Sequence, residues 1–283
     1  MRLFCSMSLF IASLNSGSNG NCYYVGNGHE AVLVDAGLSL RETEKRMRRL
    51  ELSMEQVKAI FISHEHGDHI RGIEAIATRY RMPVYITSPT LISGRLCIPA
   101  ELVRPFTAHE PVHIGGLAVS AFPKEHDAAD AHSFLVSGNG INIGVYTDLG
   151  VPCERLVHSF RQCHAAFLEA NYDEHMLENG GYPTHLKNRI RGGKGHLSNR
   201  QALELLAAHR PPFITHLLLA HLSKNNNSPE LVHGLFNEYA DDLHIIIASR
   251  DRESAVYEIN GMHQAKAVPY YAPAPQMVQA GLF

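Results

Sequence analysis

Short apolar, β-branched runs separated by polar, turn-rich stretches dominate this chain, and helical periodicity enters between them. Runs at 9–12, 22–25 and 31–34 read as strands, the first two joined by the turn-rich segment 15–21. Ser39 can cap a helix reaching about Leu52, whose outward face carries Arg41, Lys45, Arg46, Arg48 and Arg49. The run 59–63 reads as a buried strand, and Ile70, Ile73, Ala77 and Tyr80 recur at helical spacing, which predicts a helix over 70–81. Downstream, 83–86 is a short strand, 91–102 a helix or loop interrupted by Pro99, and 112–122 a pair of strands about Gly115-Gly116. Strands at 133–136 and 141–147 form a hairpin about Gly138-Asn139-Gly140. A helix over 151–162 leads into a strand at 165–169, Ser198 caps a helix over 199–209, and strands follow at 217–223, 243–248 and 254–259.

Between strand 59–63 and its helix lies His64-Glu65-His66-Gly67-Asp68-His69. Four potential ligands, His64, His66, Asp68 and His69, crowd into one turn of chain, and imidazole and carboxylate are what zinc and its neighbours bind at neutral pH. Without a metal they would have to be solvated or paired with one another, which a packed core does not offer. Gly67 is expected to let the loop fold tightly. Two other polar features have a plain reading and a chemical one. Segment 15–21 is a hairpin connection or a backbone cradle for phosphate, and the basic face of helix 39–52 is a solvated surface or a track for a phosphate backbone.

A chain of 283 residues can bury a full core, so we expect one domain over 1–265, followed by a Pro-rich tail over 266–283. Nineteen histidines beside 25 Lys+Arg and 28 Asp+Glu suit metal chemistry, while a net charge of -3 argues against coating nucleic acid through bulk charge. Five cysteines, at 5, 22, 97, 153 and 163, include no Cys-x-x-Cys pair, which points to a reducing cytoplasm. No apolar run approaches the ~20 residues that span a bilayer. The opening places Arg2 before an apolar stretch, as in a weak signal peptide, but serines interrupt it and no cleavage site is clear, so we expect an edge strand there.

His-x-His-x-Asp-His after a strand resembles the signature of the metallo-β-lactamase superfamily. That resemblance implies an α/β fold, a four-layer αββα sandwich, with two divalent metals, zinc or manganese, at one edge. It implies His64, His66 and His126 on one metal, Asp68, His69 and His221 on the other, and Asp148 between them. His132 is the rival to His126, and Asp35, at the end of its strand, would orient a ligating imidazole. The implied reaction is hydrolysis by a hydroxide held between the two cations, with Asp68 taking part.

Glu169 and Gly195-His196-Leu197-Ser198 resemble the acidic and His motifs of the nucleic-acid-processing branch, in which a His held by a carboxylate could protonate a leaving alkoxide. A narrower resemblance is to the small bacterial YycJ (WalJ)-like metallo-hydrolases. It rests on segments 13–21, 126–128, 195–199 and 219–226, and it implies a 5′-to-3′ DNA exonuclease. Lys124-Glu125 and Asp130-Ala131 depart from that group's pattern. Lys187, Arg189, Arg191 and Lys194, in a basic Gly-rich segment, and Asn225 are candidate substrate contacts. The last five residues, with Gln279, Leu282 and Phe283, resemble peptides that dock on the replication sliding clamp. The alternative is a small-molecule hydrolase of the same superfamily, acting on a cyclic phosphate or a thioester.

Overall fold

The computed structural model describes residues 8–240 and 242–261. In chain order its strands are β1 Ser8–Asn15, β2 Cys22–Gly26, β3 Ala31–Val34, β4 Val57–Phe61, β5 Val84–Tyr85, β6 Val103–Arg104 and β7 Pro111–Ile114. They continue as β8 Leu117–Pro123, β9 His132–Gly138, β10 Ile141–Tyr146, β11 Ala165–Glu169, β12 His216–Ala220, β13 His244–Ile247 and β14 Tyr257–Asn260. The helices are α1 Leu40–Arg49, α2 Gly67–Ile70, α3 Ile73–Tyr80, α4 Ser88–Ser93, α5 Glu154–Phe160, α6 Glu174–Asn179, α7 Thr184–Arg191, α8 Asn199–His209 and α9 Pro229–Asn237.

Two seven-stranded sheets, ordered β14-β1-β2-β3-β4-β5-β6 and β13-β12-β11-β10-β9-β8-β7, face one another. Alternation along each strand decides what fills the space between them. Leu9, Ile11, Tyr23, Val25, Val32, Val34, Phe61, Phe167 and Leu218 point inward and meet in one shared core. Their neighbours point outward, and these too are buried. Leu14, Tyr24, Leu33 and Ile60 lie under Met47 of α1 and Ile73, Ile76 and Ala77 of α3. Leu168, Leu217 and Leu219 lie under Leu156 and Phe160 of α5, Leu205 of α8 and Phe236 of α9. Because both faces are covered, these strands are apolar almost throughout. The layers are helix, sheet, sheet, helix, the sandwich expected from the sequence.

Several local expectations are corrected. β1 is not an edge strand, since it pairs with β14 on one side and β2 on the other. The helix expected over 70–81 is two helices, interrupted at Arg71-Gly72. The Gly72 N–H donates to the Ala36 carbonyl, and a Cβ there would fall 1.8 Å from the Leu38 carbonyl oxygen. Gly67 is free of such constraint, because a Cβ there meets nothing within 4 Å. The close approach falls at Gly37 instead, where a Cβ would lie 1.7 Å from the Asp68 carbonyl oxygen. Arg46, expected on the outward face of α1, is 6% exposed. Its guanidinium donates to the Leu14 carbonyl and Asn15 Oδ1, pinning α1 to the end of β1. The first part of the basic Gly-rich segment, Lys187 to Arg191, lies in the helix Thr184–Arg191.

Residues 1–7 and the tail 266–283, with Gln279, Leu282 and Phe283, lie outside the described residues. The four described cysteines are free thiols, and no helix among the described residues is long and apolar enough to cross a membrane. Gly37→Ala is expected to destabilise the protein by about 3 kcal/mol, as overpacking against backbone does. Gly67→Ala is expected to stay within about 1 kcal/mol of wild type. Chemical denaturation of both variants checks the contrast, and equal losses would refute it.

Candidate metal centre

The parallel strands β4, β10, β11 and β12 end at one rim of the sandwich, and each releases a chemically active side chain as its ladder stops. β4 leads into His64 through His69, β10 into Asp148, β11 ends on Glu169, and β12 leads into His221. The loop after β8 supplies His126, and the α7–α8 connection supplies His196. Asp35, Asp148 and His221 take left-handed backbone φ of 61°, 56° and 56°, so each strand turns sharply at the residue it presents. For non-glycine residues that geometry costs about 1–3 kcal/mol each and persists only where the surroundings impose it.

All seven expected ligands converge. His64 Nε2 lies 3.0 Å from His66 Nδ1, which lies 3.3 Å from His126 Nε2, so three ring nitrogens face one point. His69 Nε2 lies 3.6 Å from Asp68 Oδ2 and 3.1 Å from Asp148 Oδ2. His221 Nε2 lies 3.4 Å from Asp68 Oδ2 and 3.6 Å from Asp148 Oδ1. Asp148 has atoms near both groups, since its Oδ1 is 3.9 Å from His126 Nε2.

The second nitrogen of four of these rings is already engaged. His69 Nδ1 lies 2.7 Å from Asp35 Oδ2, His64 Nδ1 2.9 Å from Ser63 Oγ, His126 Nδ1 3.0 Å from the Gly195 carbonyl, and His221 Nδ1 3.2 Å from Glu169 Oε1. This leaves Nε2 of each directed at the cluster, as a ligating tautomer requires. Asp148 Oδ2, although close to His69, is buried without a hydrogen bond. A buried carboxylate oxygen without a hydrogen bond and ring nitrogens aimed at one cluster are what divalent cations satisfy, so these residues fit such ions.

Burial favours the neutral form of His64, His69, His126 and His221, yet the carboxylates split these four into two classes. His69 is held up to about 10 against its burial by Asp148, Asp35 and Asp68. His221 is likewise raised well above the ordinary histidine range by Asp148, Asp68 and Glu169. His64 is pushed well down by burial and by the charge of His69. Burial brings His126 down to about 4, with Lys124 adding to the effect and Asp148 opposing it. Asp148 falls well below the usual carboxylate range despite its burial, because His221 and His69 face it.

Glu169 is wholly buried. Its Oε1 lies 2.8 Å from His196 Nδ1, and its Oε2 accepts the N–H of Leu149 at 2.6 Å and of Leu197 at 3.2 Å. It therefore touches both His196 and His221, while His196, 22% exposed at its side chain, faces the cluster. His132, the rival to His126, starts β9 and packs edge-on against Phe106.

The basic candidates are partly spent on acids. Arg189 pairs with Asp127, Arg191 with Glu178, and Lys187 donates to the Glu178 carbonyl. Asn225 donates to the Tyr182 hydroxyl, and the Lys194 carbonyl accepts from Asp127. Three contributors escaped the sequence reading. Ser63 bridges Asp35, His64 and His69 through its hydroxyl. Asn21 donates to Asp68 Oδ2, and Ser16 Oγ accepts the His221 N–H. Ser63 directly precedes the hexapeptide, which was a local signal; Asn21 and Ser16 lie in segment 13–21, part of the family resemblance, but their contacts with Asp68 and His221 were not predicted, because only folding brings their loop to the rim.

A model of the Beta-lactamase superfamily domain matches residues 30–221. Exodeoxyribonuclease YycJ of Bacillus anthracis is 35% identical over 231 residues, covering 80% of this chain and 86% of the relative. Exodeoxyribonuclease WalJ of Streptococcus pneumoniae serotype 2 is 30% identical over 227 residues, covering 78% and 84%. The crystal structure of the metallo-beta-lactamase fold protein YhfI from Bacillus subtilis, at 14% identity, covers 89% of this chain and 99% of its own with a TM-score of 0.68, a likeness of fold.

The carboxylates that raise His69 and His221 favour the imidazolium form of both rings in the metal-free chain, whereas burial favours the neutral form of His64 and His126, so a cation has to displace a proton from the first pair. Adding Zn2+ to metal-free protein at pH 7 is expected to release protons, and affinity is expected to weaken as pH falls. Calorimetry in buffers of different ionisation enthalpy reads the count; no proton release would contradict the assignment.

Proposed function

Because this chain belongs to the metallo-β-lactamase superfamily and is a metal-dependent hydrolase, we propose that it is a DNA exonuclease cutting phosphodiester bonds in the 5′-to-3′ direction. The observation that carries this reading is the Glu169–His196 pair, 2.8 Å apart, set beside the ligand cluster. Expulsion of a sugar alkoxide calls for an acid at the departing oxygen, whereas a thiolate leaving a thioester does not.

In this reading His64, His66 and His126 would hold one divalent cation and Asp68, His69 and His221 a second, with Asp148 available to both. Zinc and manganese both accept such ligands. Bound there, the cations supply Lewis acidity to the phosphate and lower the pKa of water. Asp35, through His69, keeps an imidazole turned toward the cluster, and Asn21 orients Asp68. Asp68, 18% exposed at its side chain, accepts a hydrogen of the attacking water. As the phosphorus–oxygen bond breaks, His196 passes its Nε2 proton to the departing oxygen, while Nδ1–H remains on Glu169. Glu169, lowered to about 2 despite its burial because His196 faces it, stays ionised and supports the imidazolium form.

Metal-reconstituted protein incubated with 5′- and 3′-end-labelled single- and double-stranded DNA, RNA and bis(p-nitrophenyl) phosphate tests the reading. Mononucleotides released stepwise from the 5′ end of DNA are expected; turnover of the ester alone would replace it with the small-molecule hydrolase. His196→Ala is expected to lower DNA cleavage by about 10²–10⁴-fold. It should act far less on the nitrophenyl ester, whose leaving group departs without a proton, and equal losses on both would remove His196 from its acid role.

A further inference from the structure

A cavity of about 310 Å³ shares a wall with the candidate metal centre. Ser16 belongs to both, since it lines the cavity and its hydroxyl accepts the His221 N–H at 2.7 Å. Three cations line the cavity, Lys224, Arg250 and Arg252, against one carboxylate, Asp251. None of these cations forms an ion pair among the described residues, in contrast to Arg189 and Arg191. Arg250 Nη1 is buried and has no hydrogen-bond partner among the described residues. A guanidinium nitrogen removed from water with no acceptor is costly, and an anion entering the cavity relieves that cost with a charge-assisted bond. Ile247 gives the cavity an apolar side, and the volume is at the small end of ligand pockets, about 300–1,000 Å³, which suits one nucleotide-sized group.

We propose that this cavity is a subsite for the phosphate of the DNA strand next to the scissile bond. Arg250 receives the phosphate oxygens, Lys224 and Arg252 add charge, and Ile247 takes the sugar or base edge. The proposal rests on the nuclease reading and deepens it: the strand is held by cations on the His221 side of the centre, and not by the basic helix Thr184–Arg191, whose arginines are paired.

Arg250→Gln, Arg252→Gln and Lys224→Gln, each metal-loaded, are to be compared with wild type on a short single-stranded oligonucleotide and on bis(p-nitrophenyl) phosphate, which has one phosphorus and no neighbouring phosphate. For Arg250→Gln the ratio of oligonucleotide to ester kcat/KM is expected to fall about 10–100-fold, the worth of a charge-assisted bond, mainly through KM. Arg250→Lys should recover part of the loss. Each variant should also flatten the dependence of log KM on log salt by about 0.7, the contribution of one phosphate contact on a single strand. Ratios and salt slopes matching wild type in all three variants would overturn the subsite. If Arg250→Gln fails to fold, the other two variants decide through the same slope. Wild-type protein that hydrolyses the ester but leaves DNA uncut marks failure of the nuclease reading itself, and the subsite falls with it.

Discussion

The rim of the sandwich depends on Asp35, a carboxylate with no solvent exposure and both oxygens bound. Oδ1 accepts the Ser63 N–H at 2.8 Å, while Oδ2 accepts the Ser63 hydroxyl at 2.8 Å and lies 2.7 Å from His69 Nδ1. One side chain at the end of β3 thereby holds Ser63, just past the end of β4, and His69, the last residue of the hexapeptide, while the Ser63 hydroxyl in turn meets His64, the first. The backbone repeats the tie, since the Ala36 N–H donates to the His69 carbonyl and the Asn21 N–H to the Asp68 carbonyl. A loop held at so many points cannot relax to separate its imidazoles. The cost of crowding them is met by the fold before any ion arrives, which is the preorganisation a metal site requires.

The opposite sheet contributes through Glu169, which fixes His221 and His196 with one oxygen and two backbone amides with the other. Its burial would favour protonation, yet the facing imidazoles keep it charged. Lys124 belongs to the same balance. As a departure from the apolar residue the resemblance would place there, it looks disruptive, but it is 8% exposed and its ammonium donates to the Thr147 carbonyl at 2.7 Å. That bond satisfies the last carbonyl of the chain before Asp148 turns out of the sheet. Burial lowers the Lys124 pKa, while Asp148 and Asp35 oppose the shift by favouring its charge.

Charge is distributed unevenly around this centre. The basic run that stands out in the sequence forms Thr184–Arg191, where Arg189 and Arg191 face Asp127 and Glu178. Lys224, Arg250 and Arg252, dispersed in sequence, share one cavity beside His221. A net charge of -3 is therefore compatible with a locally cationic surface, because what a phosphate meets is set by the unpaired charges within about a Debye length and not by the total.

The hexapeptide was legible from its own ligand types and strand-to-helix setting, whereas Asp148, His221 and the Glu169/His196 pair were legible through the resemblance to the metallo-β-lactamase superfamily. Local patterning fixes where an apolar run ends and which residue follows it. The αββα layering was expected from that resemblance, and the unbroken apolar runs agree with it because strands buried on both faces have no polar side. Only the tertiary structure decided that Arg46 is an internal tie, that Gly37 and Gly72 carry the close approaches while Gly67 does not, and that β1 lies inside its sheet. It alone brought Asn21, Ser16 and Arg250 to the rim. These depend on contacts between segments far apart in sequence, 205 residues for Ser16 and His221 and more for the pairing of β1 with β14, and no local period encodes such a meeting.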